Sequence, residues 1–201
     1  FILILIVCSF VSCDYAQGHL LIPSLCGTIN LQPFSDQKQT KLINSYIIRP
    51  LTMAVANNKL VVAVIGYTGG VGSCLLTAMK KIGLPTHALV RSSTMKIGCG
   101  DATEEVPVDY GALSAYLLKQ GGIPVIADVT ASGAVQENYE EWLKQGISVV
   151  AANKGIFAGC ESKYQALLEA AKSGNCRLLH ETTVGAGLPT LGTLSSLKAS
   201  S

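Results

Sequence analysis

Charge, paired cysteines and clustered histidines are what this chain of 201 residues has little of. Charged residues make up 14% of it and the formal net charge is +2. With no basic run longer than Lys80-Lys81, that balance excludes a surface that holds nucleic acid by electrostatics. The cysteines stand at 8, 13, 26, 74, 99, 160 and 176. No CxxC pair occurs among them, so neither a zinc site nor a disulfide framework is indicated, and reduced thiols in a cytoplasmic setting are the expectation. His19, His87 and His180 lack ligand spacing and read as structural. The apolar run from Phe1 to Val11 is too short to span a bilayer, so no membrane partner is expected.

Apolar residues, by contrast, are 49% of the chain, enough to build a sizeable core in one full domain and part of a second. Residues 1–52 read as an unassigned segment: an apolar leader-like run, then polar, irregular text. Met53 reads as a true start a few residues ahead of a first strand. From Lys59 onward, strand and helix patterns alternate. Leu60–Ile65 is wholly apolar, the mark of a strand buried on both faces. A helical pattern follows at Val71, Leu75, Met79 and Ile82, and Gly83 and Pro85 stop it. Strands are expected over 86–90, 124–129, 147–151 and 177–180. Helices are expected after Asp109, over 133–145 as one piece, over Glu161–Ser173, and over 191–199, while 94–107 reads as loop. This alternation predicts a doubly wound α/β domain of Rossmann type, a parallel sheet with helices on both faces.

In such a sheet the ligand lies beyond the carboxyl ends of the strands, and the polar clusters of this chain fall there. Gly66, Gly69 and Gly72, with Gly70 and Val71 between them, form a turn between an apolar strand and an amphipathic helix. Such glycines let backbone approach a pyrophosphate at a helix N-terminus. Their spacing departs by one residue from G-x-G-x-x-G, which leaves the detailed turn open. After the second strand comes Arg91-Ser92-Ser93, where an NAD-preferring domain would carry an acid. A guanidinium and hydroxyls suit a 2′-phosphate, so NADP is preferred over NAD. Thr130 and Ser132 follow the next strand, and either could instead simply cap a helix. Lys154 follows four apolar residues, is poorly placed for a free surface charge, and could polarise a carbonyl oxygen as the catalytic group. Finally, Glu181-Thr-Thr-Val-Gly-Ala-Gly-Leu-Pro189 combines a carboxylate with glycine-punctuated backbone, which suits a hard cation, a substrate hydroxyl, or a strand-to-helix turn.

Taken together, the glycine turn, Asp128-Val-Thr-Ala-Ser132, Gly146-Ile-Ser-Val-Val-Ala-Ala-Asn-Lys154 and the Glu181–Pro189 stretch resemble homoserine dehydrogenase over residues 59–197. The resemblance implies NAD(P)-dependent interconversion of L-aspartate 4-semialdehyde and L-homoserine, on the route to threonine and methionine. It implies that Gly69, Gly70, Val71 and Gly72 hold the pyrophosphate and that Thr130 and Ser132 lie on the nicotinamide side. Lys154 would sit near both coenzyme and substrate. Glu181 would bind a monovalent cation such as sodium, with the carbonyls of Val184, Ala186 and Leu188. On this reading 53–182 is the coenzyme-binding domain, and 183–201 is the hinge and start of a substrate domain that the chain does not continue into. A fragment competent to bind coenzyme but not to turn over substrate is therefore expected, with homodimers only for a full-length protein. Two rival readings stand beside it. One is a non-catalytic NADP-binding module. The other is a different dehydrogenase, such as aspartate-semialdehyde dehydrogenase, which needs a cysteine activated by a base; Cys160 and Cys176 have no histidine at motif spacing.

Overall fold

A computed structural model describes residues 60–98, 104–185 and 190–199. The reading of residues 1–52 lies outside the described residues, as do Ala186 and Leu188. The first strand, β1 (Leu60–Ile65), is buried at every position. Because successive side chains of a strand point to opposite faces, it feeds two cores at once. Val61, Ala63 and Ile65 join Leu113, Leu117, Tyr139, Trp142, Leu143 and Leu167 on one face. Leu60, Val62 and Val64 join Leu75, Met79 and Leu84 on the other. That division is why the run carries no alternation in hydropathy.

Helix α1 (Gly70–Lys81) buries Gly72, Leu75 and Met79. Val71, expected on the apolar stripe, is instead half exposed at the helix start. Strand β2 (Ala88–Val90) runs parallel to β1. Just before it, His87 is buried and its Nδ1 accepts the Val62 amide at 3.2 Å. The region read as loop forms two further strands, β3 (Thr94–Ile97) and β4 (Glu104–Pro107), antiparallel to β2 and to each other. They are short, and β4 is almost wholly exposed, so neither carries a hydropathy signature.

Helix α2 (Tyr110–Lys119) starts as expected at Asp109, whose carboxylate accepts the Ala112 amide at 2.9 Å. After β5 (Ile123–Asp128) the helix expected in one piece is two, α3 (Gly133–Gln136) and α4 (Tyr139–Lys144). At the break, the Asn138 side-chain amide donates to the Ala134 carbonyl at 2.8 Å, competing with the main chain for it. Strand β6 (Ser148–Ala151), a 3₁₀ turn (Gly155–Ala158), α5 (Glu161–Ser173), β7 (Leu178–Leu179), a 3₁₀ turn (Glu181–Thr183) and α6 (Thr190–Ala199) complete the order. Strand β7 is two residues rather than the expected four. The sheet runs β4-β3-β2-β1-β5-β6-β7. Its five strands from β2 to β7 are parallel, as expected, and the antiparallel pair β3–β4 extends one edge. Among the described residues no helix is long and apolar enough to cross a membrane.

Candidate functional site

The strand register decides which residues meet. Ile65 pairs with Val90 on one side and with Asp128 on the other, Asp128 pairs with Ala151, and Val150 pairs with Leu179. Segments 66–72, 91–93, 129–132, 152–155 and 180–184 therefore leave the sheet side by side along one rim. Strand β1 lies between β2 and β5, so the connections diverge on either side of it. A crevice opens at such a point, and in open α/β sheets that is where ligands bind.

The glycines of the first segment divide into two kinds. Gly66 has φ +89°, a conformation side chains resist, and a Cβ there would fall 2.7 Å from Thr130 Cγ2. At Gly72 a Cβ would fall 2.6 Å from Tyr67 Cα. These two let the first and third segments pack closely. Gly69 and Gly70 differ: a Cβ at Gly70 would meet nothing within 4 Å. The Gly69 amide donates to the Gly66 carbonyl at 3.1 Å, and the first helical bond runs from Ser73 N–H to the Gly69 carbonyl at 2.9 Å. The amides of Gly70, Val71 and Gly72 are left without intrahelical acceptors, at the positive end of a helix of 12 residues with no acidic residue in its first turn. This turn fits a pyrophosphate: three outward amides, space above Gly70, and no competing carboxylate.

Arg91 and Ser92 lie at the end of β2, both exposed. The guanidinium is already engaged. Its Nη2 lies 2.8 Å from Glu105 Oε1 and its Nε donates to Thr94 Oγ1 at 2.6 Å. Thr94 Oγ1 in turn donates to Glu105 at 2.9 Å, and Lys96 Nζ stands 3.8 Å from the other carboxylate oxygen. The Thr94 hydrogen bond, then the charges of Arg91 and Lys96, hold the Glu105 carboxyl below the usual carboxylate range. An acid does reach this corner after all. It arrives from β4, 14 residues further along, rather than from the end of β2.

Between the third and fourth segments lies a buried hub that the motifs did not single out. Asp128 is fully buried at the end of β5. Its carboxylate accepts the Thr130 amide at 2.8 Å, the Tyr139 hydroxyl at 2.6 Å and the Asn153 side-chain amide at 3.1 Å. Burial, then the neighbouring Asp128 charge, raise the Tyr139 pKa, so its proton stays in place. Asn153 also donates to the Ser132 carbonyl at 2.9 Å, and Thr130 Oγ1 accepts the Ser132 amide at 3.1 Å. One carboxylate thus fixes both the Thr130–Ser132 segment and the Asn153–Lys154 segment. Ser132 precedes α3 but makes no capping bond, so the simple cap reading does not hold for its hydroxyl. The signal that could have found the hub is an acid ending an apolar strand, with an asparagine ending the excursion of the next.

Lys154 opens the 3₁₀ turn and is exposed, contrary to the expectation drawn from its apolar neighbours. The apolar run before it is strand β6, which ends at Ala151, and the lysine lies beyond it, directly after the buried Asn153. Among the described residues its ammonium forms no ion pair. Glu181 is half-buried, and its Oε1 accepts the Leu191 amide at 2.8 Å, capping the first turn of α6. Val184 is exposed. Among the described residues no group of three or more His, Cys, Asp or Glu is placed to hold a metal ion.

Next to Glu181, His180 stacks on Phe157 at 4.4 Å between ring centroids, and its Nε2 lies 3.2 Å from the Tyr164 hydroxyl. Burial lowers its pKa, partly offset by the Glu181 charge. The unfolded chain therefore binds the His180 proton more readily than the folded one, and stability falls as pH drops through the ordinary histidine value. The midpoint of thermal unfolding should fall between pH 7.5 and 5.5 and should fall less in His180→Phe. Equal losses in both chains would refute this assignment.

Two cysteines bear on the rival chemistry. Cys160 is exposed, 3.0 Å from Ser162 Oγ, with no histidine in contact. Cys176 donates to the Leu143 carbonyl, and burial pushes its thiol up to about 11. Among the described residues neither forms the cysteine–base pair that an acylating dehydrogenase needs.

Comparison with known proteins agrees with the resemblance drawn from the motifs. The homoserine dehydrogenase from Emericella nidulans is 39% identical over 85 residues, 42% of this chain and 23% of that enzyme. The homoserine dehydrogenase from Schizosaccharomyces pombe is 36% identical over 88 residues, 44% of this chain and 23% of that enzyme. These alignments thus take in less than a quarter of the relatives' own length. Among solved structures, a hyperthermophilic archaeal homoserine dehydrogenase in complex with NADPH superposes with a TM-score of 0.57 at 23% identity, covering 67% of this chain and 48% of that one, which shows a shared fold. The family model described as the NAD-binding domain of homoserine dehydrogenase matches residues 68–181, more than half of the chain. The chain therefore belongs to the homoserine dehydrogenase family, of which it carries the NAD-binding domain.

Proposed function

We propose that this chain binds NADP(H) along its rim and forms the coenzyme half of an oxidoreductase that interconverts L-aspartate 4-semialdehyde and L-homoserine. The observation that carries the reading is the turn at residues 66–72, whose outward amides and open space fit a pyrophosphate, in a chain of this family. Bound there, the coenzyme supplies or accepts a hydride. The protein's own groups do the rest. Gly69, Gly70, Val71 and Gly72 bind the pyrophosphate, with Gly66 shaping the turn. Thr130 and Ser132 orient the nicotinamide end, held in place by Asp128. Arg91 and Ser92 face the adenosine end, and favour NADP over NAD through charge. Lys154 Nζ donates to the oxygen of the reacting carbonyl, stabilising the negative charge that develops there.

The cation assignment belongs to the same proposal. Glu181 would bind a monovalent ion such as sodium with the carbonyls of Val184, Ala186 and Leu188. What supports it is the Glu181 carboxylate, which accepts the Leu191 amide at 2.8 Å and opens the glycine-punctuated stretch 181–189 of the sequence. We place the coenzyme-binding unit at 53–182 and the entry to a substrate domain at 183–201, in a cytoplasmic enzyme that dimerises as a full-length protein. Neither nucleic acid nor a membrane is proposed as a partner.

Calorimetric titration with NADPH tests the core of this reading, and absence of heat and of saturation at millimolar coenzyme would sink it. The role of Lys154 is tested in a chimera that supplies the remaining length from the S. pombe enzyme. There Lys154→Ala should lower kcat on the order of 100-fold, the loss typical of one charge-stabilising donor, and leave coenzyme Kd within about threefold. Equal losses in both would reassign Lys154 to binding. A non-catalytic coenzyme sensor is the second reading. A chimera inactive with either residue at 154, yet binding coenzyme, would support it.

A further inference from the structure

The Arg91 corner carries an anion at the place where an NADP site would be expected to carry only cations. Glu105 comes from β4, at the outer edge of the sheet, in register with Lys96 on β3. Its Oε1 takes both the Arg91 guanidinium and the Thr94 hydroxyl, and its Oε2 faces Lys96. The cluster Arg91, Lys96 and Glu105 therefore sums to one positive charge rather than two. One of the donor nitrogens that could grip a phosphate is already committed to the carboxylate.

We propose that Glu105 is a specificity-determining residue that narrows the preference for NADPH over NADH. The proposal rests on the coenzyme reading above and adds to it a residue that Arg91 and Ser92 alone would not reveal. A 2′-phosphate arriving at Arg91 must displace or share the carboxylate, and it meets a second negative charge a few ångströms away. An unphosphorylated ribose meets no such repulsion, and its hydroxyls find an acceptor nearby. Nature's usual device for choosing NAD is an acid at this end of the site, placed by the second strand. Here the same charge is delivered by an antiparallel hairpin, so cation and anion share one site and discrimination is their difference.

The test is calorimetric titration of the intact chain and of Glu105→Gln with NADPH and NADH, at low and high salt. Glu105 is exposed, so the variant should fold; Glu105→Ala, which removes the acceptor entirely, is the second variant. The ratio of NADH Kd to NADPH Kd should rise on the order of three- to tenfold in both variants at low salt, the size expected of one unit charge a few ångströms from another near water. The rise should shrink by more than half in molar salt, which a purely structural effect would not do. An unmoved or lowered ratio, with both coenzymes still binding, would overturn the role of Glu105 alone. Failure of the unaltered chain to bind either coenzyme would overturn the coenzyme reading and this inference together.

Discussion

Gly72→Ala should cost the chain both its stability and its coenzyme, whereas Gly70→Ala, two residues earlier, should cost only the coenzyme. At Gly72 the added methyl would run into the Gly66 carbonyl and the Tyr67 backbone, which cannot yield as a flexible side chain can. Overpacking of this kind costs roughly 1–3 kcal/mol, or about 3–10 °C in the unfolding midpoint of a domain this size. The same shift moves the amides of Val71 and Gly72 off the helix axis, so NADPH affinity should fall on the order of 100-fold. At Gly70 the methyl meets no protein atom. Replacing glycine there trims the freedom of the unfolded chain, and the unfolding midpoint should hold or rise slightly. The methyl does enter the space assigned to the pyrophosphate, and affinity should fall about tenfold. Paired melting curves and titrations would show it. Full affinity in Gly70→Ala would place the phosphates elsewhere.

Removing the carboxylate at 128 should be the most damaging change in the site that touches no ligand. Asp128→Ala leaves the buried Tyr139 hydroxyl without its acceptor, takes the acceptor from the half-buried Thr130 amide, and leaves Asn153 its bond to the Ser132 carbonyl. A buried donor left unsatisfied costs about 1–3 kcal/mol and the two partial losses add to it, so a loss of at least about 2 kcal/mol in urea unfolding is expected. Tyr139→Phe deletes one donor together with its need for a partner and should cost only about 1 kcal/mol. Coenzyme binding separates the hub from a purely packing role. Asp128→Ala should weaken NADPH at a temperature where the fold is intact, because Thr130 and Ser132 lose their anchor, while Tyr139→Phe should not. If the two variants lose the same amount of stability, the hub does not exist as described.

How much of this could be read from residues alone follows from the length and burial of each piece. Strand β1 and helices α1 and α5 were legible because burial writes a long, consistent pattern into them. The glycine turn was legible because a Cβ at Gly66 or Gly72 would stand under 3 Å from neighbouring atoms, which glycine avoids. The hairpin β3–β4 reads as loop because its strands are four residues each, with one buried residue in β3 and none in β4. With it went Glu105, which is next to Arg91 only once the edge of the sheet is built. Asp128 was in view within a motif, yet its partners lie 11 and 25 residues away, a distance that no local pattern spans. Lys154 reads as poorly placed for a surface charge, yet it is exposed, because it lies past the end of β6 at the start of a 3₁₀ turn.

The chain contains a single tryptophan, Trp142 on α4. It is buried, edge-on to Tyr110 at 5.6 Å and beside Tyr139 at 6.0 Å. Tyr139 is the residue whose hydroxyl grips Asp128. Nature has thus wired one optical probe to the anchor of the rim, with no competing indole to blur it. Ultraviolet emission from this protein should therefore respond to that anchor, and Asp128→Ala should red-shift the spectrum at a temperature where the sheet is intact.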